Sequence, residues 1–183
     1  MTTEATMTQI DRIMSSIACR TREYLGAEFG VTITAANAHC SESDQLTLPR
    51  MTTVIALGGN INMLVAFGFD ERLIDLIFDK MTEGLEVGED EVAMYREAAT
   101  GEAVNTILGH CTGDLADDAG GVITMTPPVI LEGVKTIRRM KDASFYTQNL
   151  DSAFGQVTVN LVGPRMIFDN HLDYATQENH EHR

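Results

Sequence analysis

One long amphipathic helix dominates the reading of this chain. With about 100° of turn per residue, the stretch Tyr95 to Leu115 (YREAATGEAVNTILGHCTGDL) and the turn before it gather Val92, Ala99, Ala103, Val104, Ile107, Leu108 and Cys111 on one broad face. A face that wide must be covered by another layer of the fold. The opposite arc carries Ala98, Gly101, Glu102, Asn105 and Gly109 at intervals of three or four residues. Interior helix glycines cost roughly 1 kcal/mol each relative to alanine, so an ordinary solvated face would use Lys, Glu or Gln there. Small residues let another body approach the helix backbone, with Glu102 and Asn105 projecting from an otherwise flat surface. The competing reading is a solvated Glu and Asn beside glycines that mark a kink.

The elements around this helix are of mixed type. Ile10, Ile13, Met14, Ile17, Ala18 and Leu25 recur at helical spacing between Thr8 and Leu25, and Val31 to Ala36 alternates as a strand. Ala38 to Arg50 is polar, ends after Pro49, and reads as a loop. Thr52 to Leu57 and Ile61 to Phe67 flank Gly58-Gly59-Asn60, a hairpin signal. Asp70 is placed to cap a helix from Arg72 to about Met81. The long helix should start near Glu89-Asp90 and reach Cys111 or beyond. Val122 to Thr126, Ala143 to Leu150 and Gln156 to Val162 are further strands. This order of helices and hairpin-like strands favours an α+β domain over a regular βαβ sheet. With 183 residues the chain fits one domain, expected over 1–169, with a polar tail over 170–183 that holds His171, His180 and His182.

Charge and cysteine content narrow the partners. Lys and Arg number 13 against 27 Asp and Glu, a net charge of −14, which argues against nucleic acid or an anionic membrane surface. Cys19, Cys40 and Cys111 are too dispersed for a disulfide framework or a metal cluster, so no metal site is expected. The N-terminus lacks the basic and apolar regions of a signal peptide, and no apolar run approaches the roughly 20 residues of a membrane span. A soluble, cytoplasmic setting is the expectation. Lys135, Arg138, Arg139 and Lys141 form a basic cluster that reads as a solvated face, the alternative being a contact with an acidic partner. His39 and Ser41-Glu42-Ser43-Asp44 have no identifiable triad partner, and the ten methionines read as core filling.

Glu102-x-x-Asn105, followed after 22 intervening residues by Pro128, resembles the signature of the CheC/CheX/FliY family of chemotaxis phosphatases. That signature is Asp or Ser, three residues, Glu, two residues, Asn, 22 residues and Pro. Ile107-Leu108-Gly109, Pro128-Val129-Ile130 and Gly133 also look like the family. Its first polar position falls on Ala98 here, a departure from the pattern. A single Glu-x-x-Asn points to the CheX type, whose members are homodimers; the CheC type usually carries two.

The resemblance implies a CheC-like α+β fold with the motif on a long helix packed against the sheet. It also implies hydrolysis of the phospho-aspartate on a CheY-like response regulator of two-component signalling. Asn105 would orient the attacking water and Glu102 would anchor the partner. Ala98, Gly101 and Gly109 would form the contact surface, with Pro128 as a structural element of the motif. No cofactor of its own is implied, since the Mg²⁺ of such a reaction belongs to the receiver. The Ala98 departure keeps open a second reading, a non-enzymatic adaptor that binds a receiver or scaffold. A third treats the motif as coincidence.

Overall fold

A computed structural model describes residues 9–41, 45–59, 61–119, 121–139 and 141–164. Among the described residues, α1 (Gln9–Phe29), β1 (Ile33–Ser41), β2 (Gln45–Leu48), β3 (Met51–Gly59) and β4 (Met63–Phe69) come first. They are followed by α2 (Glu71–Met81), α3 (Val92–Ala119), β5 (Ile123–Met125), β6 (Val129–Glu132), β7 (Lys135–Arg138), β8 (Ala143–Ser152) and β9 (Gly155–Pro164). The fold is α+β. Its main antiparallel sheet runs β1-β8-β9-β4-β3, and both β5 and β6 pair with β3 at the far edge.

Strand periodicity decides what each face meets. On β4, Met63, Val65, Phe67 and Phe69 point to the helices, as do Val157, Val159 and Leu161 of β9. They enclose one core with Ile13 and Ile17 of α1, Leu73, Ile74 and Ile77 of α2, and Ile107 and Leu108 of α3. Ala66 and Phe145 point the other way, under Leu46, Leu48 and Ile137 of a separate β2–β7 ribbon. That same outer face buries Asn160, whose Oδ1 accepts a hydrogen bond from Thr147 Oγ1 at 2.8 Å.

The expected helices and hairpins are present, with three corrections. Within Ala38 to Arg50, two segments are strands and not loop: β1 continues to Ser41 against β8, and β2 pairs with β7 from Gln45↔Arg138 to Leu48↔Lys135. Both partners lie about 90 or more residues away, so no local pattern signals the pairing. The strands β6 and β7 were not expected as separate elements. β7 carries Lys135 and Arg138, exposed, so part of the basic cluster sits on the ribbon opposite the helices.

The third correction concerns Asp70. It occupies the N-cap position of α2, but its side chain makes no capping bond. Its Oδ2 instead accepts from the Gln156 N–H at 2.9 Å, while its own N–H donates to the Gln156 carbonyl at 3.0 Å. This pair of hydrogen bonds ties α2 to the β8–β9 turn. Gly155 permits it, with φ +118° and a backbone so near that a Cβ would sit 2.6 Å from Asp70 Cβ. Asn60, the side chains of His39 and Cys40, and the tail from Asn170 to Arg183 lie outside the described residues.

Candidate functional site

The site is built on α3, the longest described helix at 28 residues. Its core face is as the spacing predicts: Ala103, Val104, Ile107 and Leu108 are fully buried, with Ala99 and Cys111 nearly so, and Val92 half-buried. Burial pushes the Cys111 thiol up to about 12. α1 packs alongside, fixed by Arg20, whose Nε donates to Asp114 Oδ2 at 2.7 Å and whose Nη2 pairs with Oδ1. Ser16 Oγ adds a bond to Asp114 Oδ2 at 3.1 Å. The hydrogen bonds from Arg20 hold the Asp114 carboxyl below its usual range, against some desolvation.

On the opposite arc, Ala98, Glu102 and Gly109 are exposed and Asn105 is half-buried. Glu102 makes no ion pair among the described residues, so its carboxylate is available to a partner. Three residues on, the Asn105 carboxamide lies almost one turn further along the same surface. Gly101 departs from the expectation of an open contact position. It is buried, and a Cβ there would lie 3.5 Å from Ile130 Cδ1 and 3.7 Å from Pro128 Cγ. The body that approaches the helix at Gly101 is therefore this chain's own β5–β6 segment. Gly109 is open, and a Cβ there would meet nothing within 4 Å.

Pro128 thus has a visible structural role: with Ile130 it lies over Gly101 beside the exposed Glu102. Together with Met94, Glu97 and Ala98 these residues line a cavity of about 360 Å³. Two further residues border the motif. Tyr24 of α1 hydrogen-bonds Thr106 and lies near enough to Glu102 to feel its charge; desolvation is the main reason its phenol pKa is raised. Glu97 meets Glu132 of β6. Neither stands out in the sequence, because each acquires its neighbour only when α1 or β6 is folded against α3. Among the described residues, no group of three or more His, Cys, Asp or Glu side chains clusters to hold a metal. No described helix is long and apolar enough to cross a membrane.

The described residues form a helical layer on an antiparallel sheet, with an exposed carboxylate and a nearby amide on the longest helix. The fold is similar to that of a CheX from Desulfovibrio desulfuricans, with a TM-score of 0.68 at 14% identity over 81% of this chain and 97% of that one. CheX from Vibrio vulnificus matches with a TM-score of 0.64 at 19% identity, over 81% and 97% of the two chains. CheX of Borrelia burgdorferi, solved in a complex with CheY, BeF3 and Mg²⁺, matches at 0.61 with 14% identity, over 85% and 98%. No curated protein matches the sequence. The family described as Chemotaxis phosphatase CheX matches residues 51–151, more than half the chain, and the protein belongs to that family.

Proposed function

We propose that this protein hydrolyses the phospho-aspartate of a CheY-like receiver domain, with Asn105 orienting the attacking water and Glu102 anchoring the partner. The observation that carries the reading is the unpaired, exposed Glu102 and half-buried Asn105 on the open arc of α3, in a chain of the CheX family. A CheX relative has been solved with CheY, BeF3 and Mg²⁺, which supports a receiver as partner.

An acyl phosphate is intrinsically reactive, and phosphoryl transfer depends mainly on in-line placement and charge stabilisation. The Asn105 side-chain oxygen accepts a hydrogen bond from water while its NH2 donates elsewhere, which orients the water without ionising it. Glu102 supplies a charge for a cation near the receiver's phosphorylation site. In this reading Mg²⁺ is carried by the receiver, and a homodimer leaves both α3 arcs open.

The test is decay of a phosphorylated receiver from the same organism, with and without the protein. Asn105→Ala should keep binding nearly intact yet slow turnover by at least about 10²-fold, the scale of a misplaced reacting group. Decay as fast as with the parent protein would refute the mechanism. Ala98, exposed where the family carries Asp or Ser, favours the alternative of a receiver-binding adaptor. Binding without acceleration by the parent protein would establish that adaptor, and sedimentation as a monomer at micromolar concentration would exclude the dimer.

A further inference from the structure

The β2–β7 ribbon continues the β3–β6 ladder. Met51 pairs with Glu132, and three residues away on each strand Leu48 pairs with Lys135, so the register runs through unbroken. Pro49 lies between β2 and β3, and Gly133, with φ +76°, lies between β6 and β7, where the ladder bends over the outer face of the sheet. Leu46, Leu48 and Ile137 pack onto that face. Among the described residues β7 has β2 as its one strand neighbour. Alternate N–H and C=O groups of an antiparallel strand point away from its partner, so the other long side of β7 carries unused donors and acceptors.

The side chains along this edge select among the strands that could add to it. Lys135, Thr136 and Arg138 are exposed, and Val134 at the start of β7 is 67% exposed. Lys135 shares a face with Leu48 and Arg138 shares the opposite face with Gln45, so one cation flanks the edge on each face of the ribbon. Neither makes an ion pair among the described residues, in a chain where 27 Asp and Glu face 13 Lys and Arg. Cations on an edge strand repel a second copy of that strand, which would set like charges opposite each other. They attract a strand that carries carboxylates, and the exposed β-branched Val134 offers it an apolar contact. The net charge of −14 disfavours nucleic acid and anionic lipid at the same edge.

We propose that β7 is a docking edge that takes up, by strand addition, an extended acidic segment of a partner protein. Two carboxylates three residues apart meet Lys135 and Arg138, and an apolar residue meets Val134. In this mode main-chain hydrogen bonds supply the affinity and side-chain contacts the specificity. The ribbon lies on the face of the sheet opposite α3, so the segment docks without displacing a receiver from Glu102 and Asn105. This contact is independent of the function proposed above, and failure of either leaves the other standing.

The experiment titrates the full-length protein against three short fluorescein-labelled peptides of valine and threonine, read by fluorescence anisotropy. One peptide carries two aspartates three residues apart, the second has asparagines in their places, and the third is the aspartate peptide with alternate amides N-methylated. The aspartate peptide should bind about tenfold more tightly than the asparagine peptide, with an affinity that falls as salt is added. Lys135→Gln and Arg138→Gln should each raise its Kd about threefold and the double variant about tenfold, the scale of exposed cross-strand charge pairs. Circular dichroism and receiver-phosphate decay should be the same in these variants as in the parent. N-methylation should abolish binding, and retention of binding would replace strand addition by charge attraction alone. Equal affinity for the aspartate and asparagine peptides, or no binding of either, would overturn the docking edge. So would a double variant that alters sedimentation, which assigns the edge to a second copy of this chain, or one that slows receiver decay, which assigns it to the receiver. Phosphatidylserine vesicles that bind through the same two residues while the aspartate peptide does not would assign it to a membrane surface instead.

Discussion

Replacement of Gly101 tests how α3 meets the β5–β6 segment. In Gly101→Ala the new methyl would sit 3.5 Å from Ile130 Cδ1 and 3.7 Å from Pro128 Cγ, ordinary van der Waals contact. Glycine to alanine inside a helix stabilises by about 1 kcal/mol, and burying one methyl contributes about 0.8 kcal/mol more. For a domain of this size, that corresponds to a rise of about 4–7 °C in unfolding temperature. Gly109→Ala is the control, because its Cβ would meet nothing within 4 Å; it should gain only the propensity, about 2–4 °C. Gly101→Leu carries three more carbons into the same contact and should overpack it, at about 1–3 kcal/mol. That outcome differs from the expectation that Gly101 belongs to an open contact surface. The assay is thermal unfolding of the three variants followed by circular dichroism, with a calorimetric check of two-state behaviour. If Gly101→Ala is no more stable than Gly109→Ala, or Gly101→Leu is as stable as Gly101→Ala, the packing of Pro128 and Ile130 over the helix is not as described.

The remaining predictions address charge and thiol chemistry. Glu102→Ala should weaken binding to a receiver loaded with a stable phosphate mimic, and Glu102→Lys should weaken it further; unchanged affinity in titration calorimetry would remove Glu102 from the interface. Asp114 has its pKa lowered from 3.8, so its contribution to stability is present above 3.8 and lost as pH falls through its folded value. Asp114→Asn should therefore destabilise most at neutral pH, with a gap from the parent that closes in acid; a gap constant with pH in denaturant titrations would refute the Arg20–Asp114 linkage. Cys19 is exposed but has its thiol pKa raised, by desolvation first and by Glu23, whereas Cys111 is buried. Iodoacetamide labelling resolved by peptide mapping should modify Cys19 at a rate that climbs with pH and spare Cys111 until unfolding; labelling of native Cys111 would contradict the core packing.

A covering layer for α3 was legible without coordinates because the demand is local. Ala99, Ala103, Val104, Ile107, Leu108 and Cys111 follow the helical period, and the structure buries all six. The same holds for the β3–β4 pair and for the alternation of Val157, Val159 and Leu161 on β9, since period and turn chemistry are carried by adjacent residues. The motif spacing from Glu102 through Asn105 to Pro128 was equally readable. It carried the family resemblance, which the match over residues 51–151 supports.

Only the tertiary structure decided where long-range partners would fall. β2 acquires strand geometry from β7, although its four residues are too few to declare themselves. Asp70 bonds to Gln156, 86 residues away, in place of its own helix end. Gly101 has the composition of an open contact position and is closed by Pro128 and Ile130. Glu97, unremarkable in sequence, has its carboxyl pKa raised by desolvation and then by Glu132 of β6. In each case the deciding term is a neighbour's proximity, which backbone periodicity does not encode and packing of the sheet against the helices does.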